Sequence, residues 1–346
     1  MKTQSCTGAV CFIDLLGFSY LTGLLDNQDL YINEKVEKPF GEKKVKELTL
    51  NDLRNLDDYI ENGDEVSEDT ITVSDWAYNI VDTNLKKIHE IVERQCASFQ
   101  NAEYCAISDS LFIVDESSDE LLYILANIFR ECIKSGILLR AGLAYGSYYI
   151  VRTHVSDFNV YGVTVTKAVN YEKMGKGCRI FTDSDFPASC GAFSEINPQL
   201  FFPYKNYHDY SVLDCFEWLM IKDSYVLNPS DVTNLGTFHN PLNVKNAVDL
   251  FYDNIEVYCN LCCSPKFDWN RKNTAGLTQL GASIEYVSSV IDKCYKLSSL
   301  VNISKEFQEK IEDGQQYAKG FRRSDAIVQE MIEAKKANFN AIFGIQ

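Results

Sequence analysis

Two aspartates stand where a hydrophobic residue or an ordinary turn residue would be expected. Asp14 follows the apolar run Ala9-Val-Cys-Phe-Ile13, which reads as a buried strand. Asp109 lies in Ser108-Asp109-Ser110, between the strand-like stretches Glu103–Ile107 and Leu111–Asp115. If these strands are neighbours in one sheet, the two carboxylates converge at one edge. Two hard oxygen ligands on a rigid sheet suit Mg²⁺ or Mn²⁺, which keep their other positions for water and substrate phosphate. Taken singly, Asp14 could cap a helix and Asp109 could be a plain hairpin-turn residue; the pairing is what favours a metal. No competing catalytic set is found. The four histidines (His89, His154, His208, His239) fall in no ligand or triad spacing, and no Walker-type glycine loop occurs.

The elements that must position these residues follow from periodicity. Gly17 gives a turn, and Ser19 is placed to cap a helix through Leu21, Leu24 and Leu25. Residues 27–75 are polar and acidic without sustained periodicity, as expected of a solvated insertion or flap. A helix follows with Val81, Leu85, Ile88 and Val92 on one face. Another, capped at Asp119 and ended by Gly136, would bury Leu122, Leu125, Phe129 and Ile133. The strand Leu138–Leu143 continues past Gly146 through Ser147-Tyr-Tyr-Ile150. Val160-Tyr-Gly162 leads into a helix from Val163 to Met174, then a strand, Arg179–Thr182, and a β-rich stretch ending near Trp218. The order predicts an α+β domain over residues 1–225, an antiparallel sheet with helices on one face. From about 226 to 346 the spacing turns helical, with Val244, Val248, Phe251 and Ile255, then Leu277, Leu280, Ile284, Val287 and Ile291, and later Ile327, Met331 and Ile332. This helical C-terminal region would pack on the core, dimerise, or both.

Composition narrows the function. With 346 residues, 46% of them apolar, the chain can build a large core, yet no stretch approaches the roughly 20 apolar residues of a membrane span. The N-terminal run MKTQSCTGAVCFIDLLGF is broken by Asp14 and lacks a small-residue cleavage site, so it reads as a strand rather than a signal peptide. Twelve scattered cysteines, several inside apolar segments (Cys11, Cys105, Cys132, Cys178), fit reduced thiols in a cytoplasmic protein. Cys259, Cys262 and Cys263 have metal-like spacing at one end only, which falls short of a four-ligand zinc site. The net charge of −16 argues against nucleic acid or an anionic membrane as partner. It also means that a bound triphosphate would need local cations, and so points towards divalent metal.

Phe12-Ile-Asp14-Leu-Leu-Gly17-Phe18-Ser19 resembles the first-strand motif of the class III nucleotidyl cyclases, F-x-D-[IL]-x-G-F-[ST]. Ser108-Asp109-Ser110 stands where that family has Gly-Asp at its hairpin. Leu139-Arg140-Ala-Gly142-Leu-Ala-Tyr-Gly146 is similar to its R-x-G-[IL]-x-x-G strand, and Tyr161-Gly162 to the opening of its catalytic helix. The four landmarks keep the family's order over roughly residues 8 to 220. The resemblance implies a ferredoxin-like or palm-type sheet and two metal ions shared by Asp14 and Asp109, with the Leu15 carbonyl assisting. It further implies that amides of Leu16, Gly17, Phe18 and Ser19 cradle the triphosphate. The implied reaction is attack of a ribose 3′-hydroxyl on the α-phosphorus with loss of pyrophosphate, in a site formed between two copies of the chain.

The sequence departs from that family at the positions that choose the base. A lysine and an aspartate select adenine in the purine cyclases; Cys105 and Asn159 stand in their places. On the catalytic helix, Thr166 and Asn170 replace the asparagine and arginine that stabilise the transition state. Arg140, Lys167 and Lys205 are the candidate substitute cations. The helix residues Ala168 and Glu172, with Leu-Arg-Ala-Gly upstream, resemble the pyrimidine cyclases of bacterial anti-phage (Pycsar) signalling, although Glu172 could equally be a structural ion-pair partner. That resemblance implies cyclic UMP or cyclic CMP, made from UTP or CTP, acting on a downstream effector. An adenylate or guanylate cyclase with a remodelled pocket, and a nucleotide-binding homologue without turnover, remain the alternatives. Diguanylate cyclases share the strand-and-hairpin logic but carry a Gly-Gly-Asp-Glu type of turn, unlike Ser-Asp-Ser-Leu here.

Overall fold

Two long strands carry the molecule. In the computed structural model β1 (Lys2–Leu15) and β6 (Leu139–Arg152) pair antiparallel along their whole length, from Lys2↔Arg152 to Leu15↔Leu139. The described residues are 2–23, 31–33, 70–152, 158–191, 200–205, 212–223, 225–227, 241–267, 270–271 and 274–295. On its other edge β1 takes β5 (Ser110–Asp115), from Ala9↔Asp115 to Asp14↔Ser110, and β4 (Glu103–Ile107) pairs outside β5. Beyond β6 come β8 (Ile180–Thr182), β10 (Val212–Phe216) and β9 (Phe201–Lys205), while β7 (Phe158–Tyr161) pairs with the outer part of β6.

The α+β class is as the sequence predicts, with two differences. The pair β6/β8 is parallel whereas the sheet's other pairs are antiparallel. A parallel neighbour needs a connection that carries the chain back along the sheet, and β7 with the following helix supplies it. The helices also occupy both faces. Ala9, Cys11, Ile13 and Leu15 of β1 share a core with α2 (Val73–Cys96) and α3 (Ser118–Ser135). Cys6 and Val10, pointing the other way, share a second core with Val165 and Ala168 of α4 (Val163–Glu172). Burial on both faces explains why this strand reads as an unbroken apolar run instead of an alternation.

Gly142 lets α4 lie against the sheet. A Cβ at that position would sit 1.9 Å from the Ala168 carbonyl oxygen and 2.5 Å from the Glu172 amide. At helix ends, Gly136 (φ 89°) closes α3 as expected, its amide bonded back to the last turn. The start differs: Ser117, not Asp119, is the N-cap, accepting from the Glu120 amide, and Asp119 falls in the first turn. Helix α4 ends at Glu172, two residues before the expected Met174. Helix α1 (Phe18–Gly23) begins one residue ahead of Ser19, which lies inside it; Leu24 and Leu25 are outside the described residues. Within the 27–75 stretch, β2 (Tyr31–Asn33) and β3 (Thr70–Thr72) pair with each other, and the remainder is outside the described residues apart from the start of α2.

The C-terminal helices α5 (Pro241–Cys263) and α6 (Thr274–Tyr295) bury Leu250, Phe251, Ile255, Val287 and Ile291 in the core that holds Phe129 and Trp218. Leu277, expected on the same stripe, is 53% exposed instead. Ile327, Met331 and Ile332 lie outside the described residues. Among the described residues eleven cysteines are free, nine of them buried. Among the described residues no helix is long and apolar enough to cross a membrane.

Candidate active site

The end of β1 that carries Asp14 lies beside the hairpin tip that carries Asp109. Asp14 pairs with Ser110 in register, so the tip of the β4–β5 hairpin lies beside it. The turn takes two residues, Ser108 and Asp109, with Ser108 in the left-handed region at φ 59°. The Leu15 amide donates to the Asp109 carbonyl across 3.2 Å, which fixes the hairpin tip against the end of β1. The Ser110 hydroxyl donates to Asp14 Oδ1 at 3.5 Å.

The surroundings of Asp14 are electrically crowded. Burial pushes its carboxyl up to about 6; the charges of Glu172 and Asp109 push the same way, while Arg140 and the Ser110 hydroxyl oppose them. Asp14 is thus a partly desolvated carboxylate under the influence of two others, opposed by the Arg140 guanidinium. Among the described residues no group of three or more His, Cys, Asp or Glu side chains could hold a metal. The polar groups at this strand end are two carboxylates, with a serine hydroxyl and backbone carbonyls beside them. Such a set fits Mg²⁺ or Mn²⁺, which retain several waters and take substrate oxygens, rather than a closed all-protein cage.

Arg140 is the cross-strand partner of Asp14 on the β6 side. Its Nη2 lies 3.8 Å from Asp14 Oδ2, but the guanidinium is held mainly elsewhere. Nε donates to Glu172 Oε1 at 2.5 Å, Nη2 also contacts Glu172 Oε1, and Nη1 donates to the Gly175 carbonyl at 2.9 Å. Of the readings open for Glu172, the structure shows the ion pair. The Ser110 and Gly175 contacts were missed in the sequence. The signal for Ser110 was the strand register, which local pattern does not reveal.

Other expected site residues lie apart from Asp14 within one chain. Thr166 and Asn170 are exposed, on the side of α4 away from Val165, Ala168 and Glu172; the Thr166 hydroxyl donates to the Gly162 carbonyl at 3.2 Å. Asn159 pairs with Val151, which pairs with Thr3. Thr3 is 11 residues from Asp14 on β1, or roughly 35 Å at about 3.3 Å per residue. Lys205 is on edge strand β9, four strands from β1, roughly 19 Å in strand spacings. Lys167 pairs with Asp183 at 3.4 Å. Cys105 is on the Asp14 face, in register with Phe112 and so with Phe12; burial raises its thiol to about 11. Among Leu16 to Ser19, the Leu16 amide already donates to the Leu138 carbonyl at 2.9 Å, which removes it from the expected phosphate cradle.

No family model matches the chain, and no curated protein matches it. Solved structures with a similar fold include a bacterial light-regulated adenylyl cyclase, 14% identical, with 62% of this chain and 52% of that one covered and a TM-score of 0.39. A dimeric guanylyl cyclase domain of the RhoGC fusion protein from the aquatic fungus Blastocladiella emersonii is 13% identical, covering 62% and 96% with a TM-score of 0.36. The adenylyl cyclase CyaB from P. aeruginosa is 9% identical, covering 62% and 95% with a TM-score of 0.35. At this level of identity and overlap the likenesses carry no functional weight. Function has to be read from the site.

Proposed function

We propose that this chain is a metal-dependent nucleotide cyclase whose substrate is a pyrimidine nucleoside triphosphate, UTP or CTP. The observation that supports the reading is the strand register that sets Asp14 beside the Asp109 hairpin tip, fixed by the Leu15–Asp109 backbone bond. The Asp109 charge adds to the burial that raises the proton affinity of Asp14, a cost to the fold unless a cation joins the two carboxylates.

Asp14 and Asp109 would hold two Mg²⁺ or Mn²⁺ ions, with the Leu15 carbonyl assisting. Bound divalent ions supply acidification of the ribose 3′-hydroxyl and neutralisation of the departing pyrophosphate. The 3′-oxygen bonds to the α-phosphorus, the bond from that phosphorus to the bridging oxygen breaks, and the hydroxyl proton leaves to solvent. Gly17, Phe18 and Ser19 remain as the amides facing the triphosphate, since that of Leu16 is engaged within the fold. Cys105, a buried neutral thiol on the Asp14 face, lines the base side and offers no charge to a purine ring.

Asn159 lies far along the sheet from Asp14 and Thr166 and Asn170 are exposed on α4, so their place in the reaction would be opposite a second copy. A homodimer with sites between subunits accommodates all three. On the same reading, the likeness of α4 to the anti-phage pyrimidine cyclases makes the product a second messenger for a separate effector. Cytoplasmic action and the absence of nucleic acid or membrane partners follow from the charge and cysteine usage of the sequence.

The test is incubation of purified chain with each of the four nucleoside triphosphates and Mn²⁺. Cyclic UMP or cyclic CMP should dominate, and Asp14→Asn or Asp109→Asn should reduce turnover by about a thousandfold. Cyclic AMP or cyclic GMP as the main product removes the pyrimidine claim. Absence of any cyclic product leaves a nucleotide-binding homologue.

A further inference from the structure

Three ionisable side chains, Asp14, Arg140 and Glu172, gather on the α4-facing side of the sheet near the ends of β1 and β6, with Asp109 at the adjoining hairpin tip. Their charges sum unusually. Arg140 alone beside the two aspartates would leave one negative charge to meet a divalent ion, and it would itself compete for Asp14. Glu172 removes both difficulties. It arrives from α4, buried to 3% side-chain exposure, and takes Arg140 through Nε and Nη2 while the Gly175 carbonyl takes Nη1. Arg140 is left 3.8 Å from Asp14, close enough to attract it yet beyond hydrogen-bond length.

We infer that Glu172 is a positioning residue that withholds Arg140 from Asp14 and so keeps the aspartate pair available for a divalent cation. The inference rests on the metal-site reading above and adds a second tier to it. Arg140 is then a built-in competitor of the metal, held back by α4, and not the cation that replaces the missing transition-state arginine. Any movement of α4 that separates Glu172 from Arg140 would release the guanidinium onto Asp14 and weaken metal binding.

A merely structural ion pair makes a different prediction. It would tie α4 to the sheet, and its loss would change stability but not the metal affinity of protein that remains folded. The test is Mn²⁺ binding by the full chain without nucleotide, read from the electron paramagnetic resonance signal of free Mn²⁺, with circular dichroism confirming the fold. Glu172→Gln should weaken Mn²⁺ binding roughly tenfold or more, because a freed unit charge now opposes the ion. Combining Glu172→Gln with Arg140→Gln should restore affinity to within about threefold of the unmodified chain. An unchanged affinity in folded Glu172→Gln overturns the inference, as does a double variant that stays as weak as the single one. Should Glu172→Gln fail to fold, Arg140→Gln alone decides: binding at least as tight as in the unmodified chain supports competition, and binding weakened tenfold refutes it. Failure of the metal-site reading looks different, since the unmodified chain would then bind no Mn²⁺, or binding would survive both Asp14→Asn and Asp109→Asn.

Discussion

Arg130 and Arg140 are both buried arginines, on opposite sides of the sheet, and their partners differ in kind. Arg130, on α3, donates to the Ile221 carbonyl at 2.8 Å, the Leu219 carbonyl at 3.5 Å and the Asn254 side-chain oxygen at 3.1 Å, with its guanidinium 5.7 Å from the Trp218 ring centre. These are fixed dipoles and a π-face contributed by two separate segments, residues 218–221 and helix α5. Arg140 is held by Glu172, with Asp14 just beyond reach. A guanidinium among dipoles fastens parts of the fold together. One among carboxylates sets how much charge its neighbours present to a ligand. The first is a matter of stability and the second of binding.

The largest expected effect breaks the fastening side. Arg130→Met strips three oxygens of a charged donor in a buried place and should cost about 4 kcal/mol. Urea unfolding should show it as a lowered midpoint with an unchanged slope. Replacing Arg140 and Glu172 together by glutamines should cost less, under about 2 kcal/mol, because a buried ion pair removed as a unit is often near neutral. Equal losses would erase the distinction between the two arginines.

Next is the contact that brings Glu172 to Arg140. Gly142→Ala would place a methyl group inside van der Waals distance of the Ala168 and Glu172 backbone, which cannot yield without lifting α4. The expected cost is about 3 kcal/mol, accompanied by weaker Mn²⁺ binding as Glu172 shifts. Gly281 in α6 is the control, since a Cβ there meets nothing within 4 Å. Gly281→Ala should be neutral or stabilise by about 0.5 kcal/mol through helix propensity.

Which parts of this were legible in the sequence follows from the range of the interactions. The β1 run ending in Asp14, the hairpin at Asp109 and the stop at Gly136 are local signals, set by residue type and spacing over a few positions. The side of the sheet that α4 covers is not local. Its pattern marks an apolar stripe but not which layer the stripe meets, and the deciding residue is a glycine on another element, Gly142. The same holds for the juxtaposition of Asp14 with Ser110 and Arg140, which is a matter of register between strands about a hundred residues apart. Asn159 is expected at the site from its position in a linear motif and Lys205 only as a substitute cation, yet β7 lies at the far end of β1 and β9 is four strands away. At the start of α3, Ser117 and Asp119 are both good capping types, and only backbone geometry separates them.

A pH-dependent effect sharpens the comparison from the acid side. Asp115 ends β5 fully buried, with Oδ1 accepting from the Ser117 amide at 2.7 Å and Oδ2 without a partner among the described residues. It is a buried charge with too few dipoles, the reverse of Arg130. Burial accordingly raises its carboxyl to about 6, against the opposing Ser117 hydrogen bond. The folded chain thus holds this proton more tightly than the unfolded chain, whose carboxyl titrates near 4. The resulting stabilisation is present in full below about pH 4 and fades as pH rises through 6. Between pH 4 and pH 7 the unmodified chain should lose about 2 kcal/mol relative to Asp115→Asn, which keeps the acceptor for Ser117 and has no proton to lose. Paired urea titrations across that range measure the difference directly. A constant gap between the two proteins would mean that Asp115 stays ionised in the fold, and that the single Ser117 hydrogen bond suffices to hold a buried carboxylate as three oxygens hold Arg130.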